Sequence, residues 1–374
     1  MIYFDHNATT QVDERVLEAM LPYLGKFFGN PSSLYRHGRA VRTAVETARE
    51  QVAALVGVQS SQVVFTSGGT ESNNIAFATA NQLFEPGHLL IGATEHPSVR
   101  EPAARLQANG WDVETIPVDG QGRIDTDVFA QLIRPQTRFV SVMFVNNETG
   151  VLQGNLRELA DLSKQRGLLV HTDAVQAAGK VSCKFNDLGA DLMSLSAHKI
   201  YGPKGVGALV FDKTVDVQPL QLGGGQEQGI RAGTENTAGI IGFGKAAELA
   251  SAEQQSRQQH VQTLRDRLEQ KLSTIRGVEI IAKDAARLSN TTLISCRGID
   301  GEMLLMQLDQ QGIAVSSGSA CSSNNREPSP VLLAMGIPRD QTLGAIRISL
   351  GQQNTIPEVD RFLECLNLLI PSDP

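Results

Sequence analysis

The stretch Leu168-Leu-Val-His-Thr-Asp-Ala-Val-Gln176 is the part of the sequence that decides the fold class. Its first five residues form a short, mostly apolar run that predicts a buried strand, and the carboxylate of Asp173 follows directly. Continuous apolar strands of this kind are typical of parallel sheets with helices on both faces. Ligands of such sheets bind beyond the carboxyl ends of the strands. The residues that just follow strands are therefore the first candidates for a functional site.

The same pattern repeats towards the N-terminus, where short apolar runs alternate with longer amphipathic ones. Strands are predicted at 62–66, 89–94 and 138–145, and helices at 36–56, 73–84, 98–109 and 156–166. An alternation of strands and helices predicts an α/β fold in which a mostly parallel central sheet is covered on both faces.

Beyond residue 236 the pattern changes. A long helix is predicted at 237–275, and weaker strands and shorter helices follow at 278–281, 291–296, 302–311, 345–350 and 358–370. We expect a smaller α+β domain here, with the domain boundary inside the long helix. The predicted large domain is 14–250, and the predicted small domain combines 1–13 with 251–374.

Composition excludes several classes of partner. The chain has 374 residues and a formal net charge of -7, which disfavours nucleic acid because phosphate binding relies on a basic face. No apolar run is long enough to cross a bilayer, and the start MIYFDHNATT does not resemble a signal peptide. The four cysteines are widely spaced and show no paired pattern. We expect a cytoplasmic protein with reduced thiols and no membrane partner.

Lys199 and Asp173 are candidates for cofactor chemistry. Lys199 follows the apolar run 191–195 and precedes a turn rich in Gly and Pro. Burial there would lower the pKa of its amine and suit a Schiff base with an aldehyde cofactor, whereas the alternative is a surface lysine. Asp173 is costly to bury unless it meets a cation such as the pyridine nitrogen of pyridoxal phosphate (PLP). The alternative for Asp173 is an N-cap, and Gln176 is placed to bond the phenolic oxygen of PLP.

Two glycine-rich loops are candidates for phosphate contacts. Thr66-Ser-Gly-Gly-Thr-Glu-Ser72 lies between a predicted strand and a predicted helix, where free N–H groups favour an anion. Gly69 and Thr70 are the expected contacts, and the loop is neither a P-loop nor a GxGxxG motif. The second loop, 223–234, ends at Thr234, which we place at the start of a helix. Thr234 is either a phosphate contact, from across a subunit interface, or an ordinary N-cap.

Cys321 is the most distinctive residue, because it stands in the polar, glycine-containing segment Ser316-Ser-Gly-Ser-Ala-Cys-Ser-Ser-Asn-Asn-Arg-Glu-Pro328. Such a segment predicts an exposed loop, where a thiol can act as a nucleophile. Free cysteines are usually buried, and the apolar surroundings of Cys296 and Cys365 fit that ordinary role. Cys183 has no evident role.

Three further polar residues follow or interrupt predicted strands. His96 could stack on a pyridine ring and move protons. Asn147 also follows a strand. Arg347 puts a guanidinium into an apolar strand, where its partner is either a substrate α-carboxylate or a structural carboxylate. The remaining histidines show no metal-ligand spacing, so we expect no metal site.

Taken together, these motifs resemble those of the NifS/IscS-type cysteine desulfurases, within the class V, fold-type I PLP enzymes. The resemblance covers nearly the whole chain. It is carried by Tyr3-Phe-Asp-His-Asn-Ala-Thr-Thr10, Gly29-Asn-Pro-Ser-Ser33, Thr66-Ser-Gly-Gly-Thr-Glu-Ser72, Thr94-Glu-His-Pro97, Val145-Asn-Asn-Glu-Thr-Gly150, His171-Thr-Asp-Ala-Val-Gln176, Ser196-Ala-His-Lys199, Arg231-Ala-Gly-Thr234, Ser316-Ser-Gly-Ser-Ala-Cys-Ser322 and Ile346-Arg-Ile-Ser-Leu350.

The resemblance implies a homodimeric enzyme that removes sulfur from L-cysteine. Lys199 would hold PLP, Asp173 would pair with its ring nitrogen, Gln176 with its phenolic oxygen, and His96 would stack on its ring. The other implied contacts are phosphate contacts at Gly69, Thr70, Ser196, His198 and, from the other subunit, Thr234; Asn147 near cofactor and substrate; and substrate carboxylate contacts at Arg347 and Asn30.

Cys321 would take the sulfur as a persulfide and pass it to an acceptor, such as an iron–sulfur scaffold or a tRNA-thiolation protein. The chain ends soon after its last predicted helix, which leaves open whether a scaffold docks as it does on family members with longer tails. Rival activities are those of a small-amino-acid aminotransferase and a selenocysteine lyase. A rival of another class is an interaction protein that binds no PLP. The loop cysteine disfavours the aminotransferase, and the set of Lys199, Asp173 and Arg347 disfavours a loss of catalysis.

Overall fold

Thirteen strands and twelve α-helices alternate along residues 1–317 and 327–370, the part of the chain that this computed structural model describes. The strands are β1 (Ile2–Tyr3), β2 (Val63–Thr66), β3 (His88–Gly92), β4 (Asp112–Ile116), β5 (Thr137–Ser141), β6 (Leu169–Asp173), β7 (Leu192–Ser196), β8 (Gly207–Phe211), β9 (Val278–Ile280), β10 (Thr291–Cys296), β11 (Ile313–Ala314), β12 (Ser316–Ser317) and β13 (Ala345–Ser349). The helices are α1 (Glu14–Leu24), α2 (Arg36–Val56), α3 (Gly69–Leu83), α4 (Pro97–Ala108), α5 (Thr126–Leu132), α6 (Leu156–Lys164), α7 (Phe185–Leu188), α8 (Thr237–Leu272), α9 (Gly301–Gln310), α10 (Pro330–Ala334), α11 (Arg339–Leu343) and α12 (Ile356–Leu369).

The central sheet has seven strands in the order β2-β8-β7-β6-β5-β3-β4. The pairs from β7 through β4 are all parallel, and only β8 runs antiparallel to its neighbours β7 and β2. Every residue of β6 and β7 is buried, as expected for central strands with helices on both faces. The predicted α/β fold with a mostly parallel sheet is confirmed. The carboxyl ends of β5, β6 and β7 therefore lie side by side.

The predicted strand at 138–145 ends earlier, at Ser141. The backbone N–H of Met143 donates to the carboxylate of Glu95 instead of to a neighbouring strand, because β3 has already ended at Gly92. The helix predicted at 36–56 is found with those bounds. It stops at Gly57, which adopts the left-handed conformation at φ 73°.

A second sheet, in the order β12-β13-β10-β9, is antiparallel throughout. The 36-residue helix α8 joins the two regions. Ile240 and Phe243 in its first half pack in the core of the large sheet. Leu264 and Leu268 in its second half pack with Phe4 in a separate core. None of the helices in the described part of the chain is long and apolar enough to cross a membrane.

Candidate active site

A cavity of about 490 Å³ opens beyond the carboxyl ends of β6 and β7. Its walls include ten of the thirteen side chains singled out in the sequence, namely Gly69, Thr70, His96, Asn147, Asp173, Gln176, Ser196, His198, Lys199 and Arg347. These residues come from six separate places in the chain. The topology brings them together because parallel strands deliver their ends to one edge of the sheet.

Asp173 is the last residue of β6 and is almost fully buried. One of its carboxylate oxygens accepts a hydrogen bond from Asn73 Nδ2 at 2.8 Å, and the other accepts one from the Val175 N–H at 2.9 Å. No helix begins at the next residue, so the N-cap alternative does not apply. Both bonds fix the orientation of the Asp173 carboxylate, which lines the cavity.

Lys199 lies in the single 3₁₀ turn that follows β7. Its Nζ donates to the backbone carbonyls of Asn7 and Ala8 at 2.6 and 2.7 Å. Burial, and next the nearby positive charge of Arg347, lower the pKa of the Lys199 amine to about 8. The neighbouring Lys204 is exposed by contrast. A buried amine with a lowered pKa in this cavity is suited to form a Schiff base with an aldehyde.

The part of the cavity wall at the start of α3 has the features of an anion site. Helix α3 begins at Gly69, and its first N–H groups have no partner within the helix. A side chain at Gly69 would come within 2.6 Å of Val175 Cγ2, so only glycine allows this close packing. Helix α3 was predicted to start at residue 73, but it begins four residues earlier, at Gly69. Ser196 and His198 also line the cavity.

His96 caps helix α4 and is linked to Asp173 by two residues that the sequence analysis missed. Its Nδ1 accepts the N–H of Ser98 at 3.1 Å and lies 2.8 Å from the Ser98 hydroxyl. Asn73 donates to that hydroxyl at 2.8 Å and also to Asp173. Burial lowers the pKa of His96, which favours a neutral ring. In the sequence, Asn73 is recognisable only as a polar residue in a predicted helix that packs against the large sheet.

Gln176 is held by two further residues without an assigned role in the sequence. Its Nε2 donates to the Asn7 carbonyl at 2.9 Å, and its Oε1 accepts from Lys180 Nζ at 2.8 Å. Asn7 belongs to segment 3–10, which the sequence analysis quoted. Its partners lie more than 160 positions away in the chain, so no local sequence pattern predicts these contacts.

Arg347, in β13, is 3% exposed. Its Nη2 donates to Asp5 Oδ1 at 2.7 Å, and its Nη1 donates to the Asn147 carbonyl at 2.9 Å. The structural carboxylate considered as an alternative for Arg347 is therefore present. Arg347 also lines the cavity, so the two roles are compatible.

Two predicted contacts lie away from this cavity in the single chain. Asn30 is exposed, and its Oδ1 accepts from the Ser32 N–H at 2.8 Å. Thr234 is exposed in its loop, and the prediction that a helix starts at this residue is wrong. Helix α8 begins at Thr237, because Asn236 is the N-cap and its side chain accepts the Gly239 N–H.

Cys321 lies outside the described residues. Ser316 and Ser317, just before its segment, line the cavity. The other three cysteines are buried, and burial raises the pKa of the Cys183 and Cys296 thiols to about 12. Among residues 1–317 and 327–370, no three side chains of the usual ligand types come together as a metal site.

The donor set fits PLP. A carboxylate fixed by Asn73 and Val175 suits a pyridinium nitrogen, an amine with a lowered pKa suits the aldehyde, and the start of α3 suits a phosphate.

Comparison with known proteins agrees with this donor set. Residues 2–362 match the family model of class-V aminotransferases. The chain is 44% identical to a cysteine desulfurase of Trichormus azollae over 98% of this chain and 92% of that protein. It is similar to a NifS-like protein structure, with a TM-score of 0.93, 38% identity and 98% of both chains covered. It is also similar to SspA in complex with cysteine, with a TM-score of 0.82, 32% identity, 95% of this chain and all of that one. The chain therefore belongs to the class-V aminotransferase family, whose members are PLP-dependent enzymes.

Proposed function

We propose that the chain is a cysteine desulfurase, which converts L-cysteine to L-alanine and transfers the sulfur to Cys321. One observation carries the proposal. Lys199, Asp173 and Arg347 share a single cavity with Ser316 and Ser317, which immediately precede the segment that contains Cys321. The relative from Trichormus azollae is named a cysteine desulfurase, and a solved structure of similar fold is a complex with cysteine.

Different residues of the chain would act at different steps of the chemistry at the substrate carbon atoms. When bound, PLP supplies the electron sink for the electrons released at the substrate α-carbon. Asp173 would hold the ring nitrogen protonated, and Lys199 would first tether the cofactor and then move the α-proton. The Asn7 and Ala8 carbonyls that accept from Lys199 are suited to hold its amine between these tasks. Arg347 would fix the substrate carboxylate.

Sulfur transfer then needs a nucleophile of its own. The Cys321 thiolate would attack the substrate sulfur, so that an S–S bond forms while the carbon–sulfur bond breaks and alanine leaves. The enzyme retains a persulfide, which passes to the thiol of an acceptor, such as an iron–sulfur scaffold or a tRNA-thiolation protein. We place this chemistry in the cytoplasm.

We further propose a homodimer in which Thr234 and Asn30 complete the partner's site. Their exposure, away from the cavity of their own chain, supports this. We propose two domains, 14–250 and 1–13 with 251–374. The change of core along α8, between Ala250 and Val261, supports that boundary.

Substitution of Cys321 by serine tests the function directly. Cys321→Ser keeps nearly the same volume but replaces a soft nucleophile by a hard one. We expect it to fold, to bind PLP and to bind cysteine, seen as a change in visible absorbance. It should release alanine at less than about a hundredth of the normal rate, and no persulfide should be found by mass spectrometry.

The matched control is Cys365→Ala, which removes a buried thiol that is remote from the cavity. It should retain normal turnover at temperatures where it stays folded. Normal alanine release by Cys321→Ser would refute the persulfide route and favour a chemistry without a protein thiol, such as that of an aminotransferase.

A further inference from the structure

Asp5 has no role in the proposed chemistry, yet it lines the same cavity as Lys199 and Arg347. Its backbone is tightly held. Asp5 forms a parallel bridge with Ser349 next to the end of β13, and its carbonyl accepts the Ala8 N–H at 3.0 Å. These contacts fix the Asp5 carboxylate beside β13, the strand that carries Arg347.

The Asp5 and Arg347 side chains form an ion pair that is largely shielded from water. Arg347 Nη2 lies 2.7 Å from Asp5 Oδ1, and their side chains are 4% and 19% exposed. The Asn147 carbonyl accepts from the other terminal nitrogen. Because the pair is shielded, its charges act on neighbouring groups more strongly than a surface pair would.

The ion pair sets the net charge of the part of the cavity around Asp5 and Arg347, which we call the carboxylate-binding corner. Arg347 alone would present a full positive charge, whereas Arg347 with Asp5 is neutral. One incoming α-carboxylate makes the corner negative. A second carboxylate on the same substrate would then meet Asp5 as well as the first one. Lys199, which with Arg347 makes up the lysines and arginines among the described residues that line the cavity, is assigned to the cofactor. Asp173, at the end of β6, adds another negative charge to the cavity.

We propose that Asp5 is a specificity-determining residue, which restricts the carboxylate-binding corner to amino acids with an uncharged side chain and disfavours acidic ones. The juxtaposition of its carboxylate with the Arg347 guanidinium carries this inference, which rests on the proposed role of Arg347. Discrimination of this kind acts through a repulsive group and not through an added contact. The side-chain carboxylate of a bound aspartate is separated from its α-carboxylate only by the α- and β-carbons, so its charge would lie near Asp5.

L-Aspartate and L-asparagine are matched probes, since they differ in charge but hardly in shape. Both should compete with L-cysteine for the holoenzyme. We expect the unmodified enzyme to bind L-asparagine at least about tenfold more tightly than L-aspartate, measured as inhibition constants and by calorimetry. Equal affinities for the two would overturn the proposal without the use of any variant.

Asp5→Asn then tests the residue itself. The amide oxygen can still accept from Arg347 Nη2, so the guanidinium stays oriented while the negative charge is removed. The ratio of the two inhibition constants should fall to within about threefold of unity. Asp216→Asn, which removes the same charge from an exposed position, should leave the ratio unchanged. An unaltered ratio in Asp5→Asn would refute the assignment.

Arg347→Gln separates this inference from the proposed function. Loss of the guanidinium should weaken L-asparagine and L-aspartate binding alike, by at least about tenfold. If Arg347→Gln leaves both affinities as they were, Arg347 does not bind the carboxylate and the proposed site is wrong. If it weakens both while Asp5→Asn keeps the ratio, only the role of Asp5 fails.

Discussion

Burial and neighbouring charges set the chemistry of individual side chains in the cavity. Lys199 is the clearest case. Desolvation has the largest effect on its pKa, Arg347 lowers it further, and Asp173 and Asp5 act in the opposite direction. The pKa falls from the ordinary lysine value of 10.5 to about 8, so a useful fraction of the amine is uncharged near neutral pH.

The causes of the lowered Lys199 pKa predict how the amine reacts in the cofactor-free protein. Labelling of Lys199 by an amine reagent, followed by peptide mapping, should rise with pH with a midpoint at about 8, because only the uncharged amine reacts. Arg347→Gln removes a positive charge and should raise the midpoint. Asp5→Asn removes a negative charge and should lower it. Lys204 serves as the internal control, since it is exposed and its labelling should be the same in both variants. Shifts of the same sign in both variants would contradict this account.

Most cavity residues were predictable because a strand end followed by a polar residue is a local pattern. Asp173, Lys199 and His96 all have that signature. Asp5 and Asn7 do not, since their partners Arg347 and Ser349 lie 342 residues away in sequence. Their roles depend on how the N-terminal segment lies across two sheets, and no periodicity encodes that placement.

Among the structural elements, the loop 223–234 is held by two ion pairs, of which the Arg49–Glu227 pair is buried. Arg49 in α2 donates to both carboxylate oxygens of Glu227 at 2.6 and 2.7 Å, and Glu227 also accepts the Phe65 N–H. Glu227 is held at φ 46°, a backbone conformation that non-glycine residues seldom adopt. Farther along the loop, Arg231 pairs with Glu71 in the first turn of α3. The loop is thereby tied to the edge strand β2 and to the start of α3.

Glu227→Gln should therefore destabilise the protein strongly. The variant leaves the Arg49 guanidinium without its buried counter-charge, for which we expect a loss of about 3–5 kcal/mol in the apparent free energy of unfolding, measured by urea denaturation. Glu46 is the matched control, because it also pairs with Arg49 but is exposed. Glu46→Gln should cost about 0–1 kcal/mol. A cost for Glu227→Gln as small as that of its control would mean that this pair does not hold the loop.

The sequence predicted strands β2, β3, β5 and β6 and most of the longer helices, but it missed the buried strand β8, the edge strand β4 and the helices α1 and α5. Strand β4 was not predicted because four of its five residues are exposed or only partly buried, which weakens the apolar pattern. Helix α5 was missed because seven residues give too short a window for a helical period. Central strands such as β6 are recognisable since burial on both faces demands a continuous apolar run.

At the scale of the whole molecule, helix α8 and the residue Asn7 both connect the large and the small sheet. Helix α8 extends about 54 Å and contributes side chains to both cores. Asn7 makes the second connection with all its polar groups. Its side chain donates to Thr291 at 2.9 Å and its N–H to Ser349, while its carbonyl accepts from Gln176 and Lys199. The position of the small sheet is therefore coupled to the residues expected to hold the cofactor.

The exposed loop that carries Thr234 leads to a prediction about the assembly. If Thr234 completes the site of a partner chain, Lys199→Ala and Thr234→Ala subunits should complement each other. Lys199→Ala inactivates its own site but still supplies Thr234 to the other. Random mixing should therefore restore about a quarter of wild-type activity, since half of the dimers are mixed and each mixed dimer has one intact site. The measurement is alanine release after subunit exchange, with exchange verified by mass spectrometry.

A second mixture provides the matched control. Lys199 and Asp173 line the same cavity of one chain, so a dimer of Lys199→Ala with Asp173→Asn has one defect in each of its two sites. That mixture should remain inactive under the same exchange conditions. Recovery in the control would show that cavities are themselves assembled across subunits, against the geometry of the single chain. Absence of recovery with Thr234→Ala, once exchange is verified, would mean that Thr234 serves its own loop and that each site is complete within one chain.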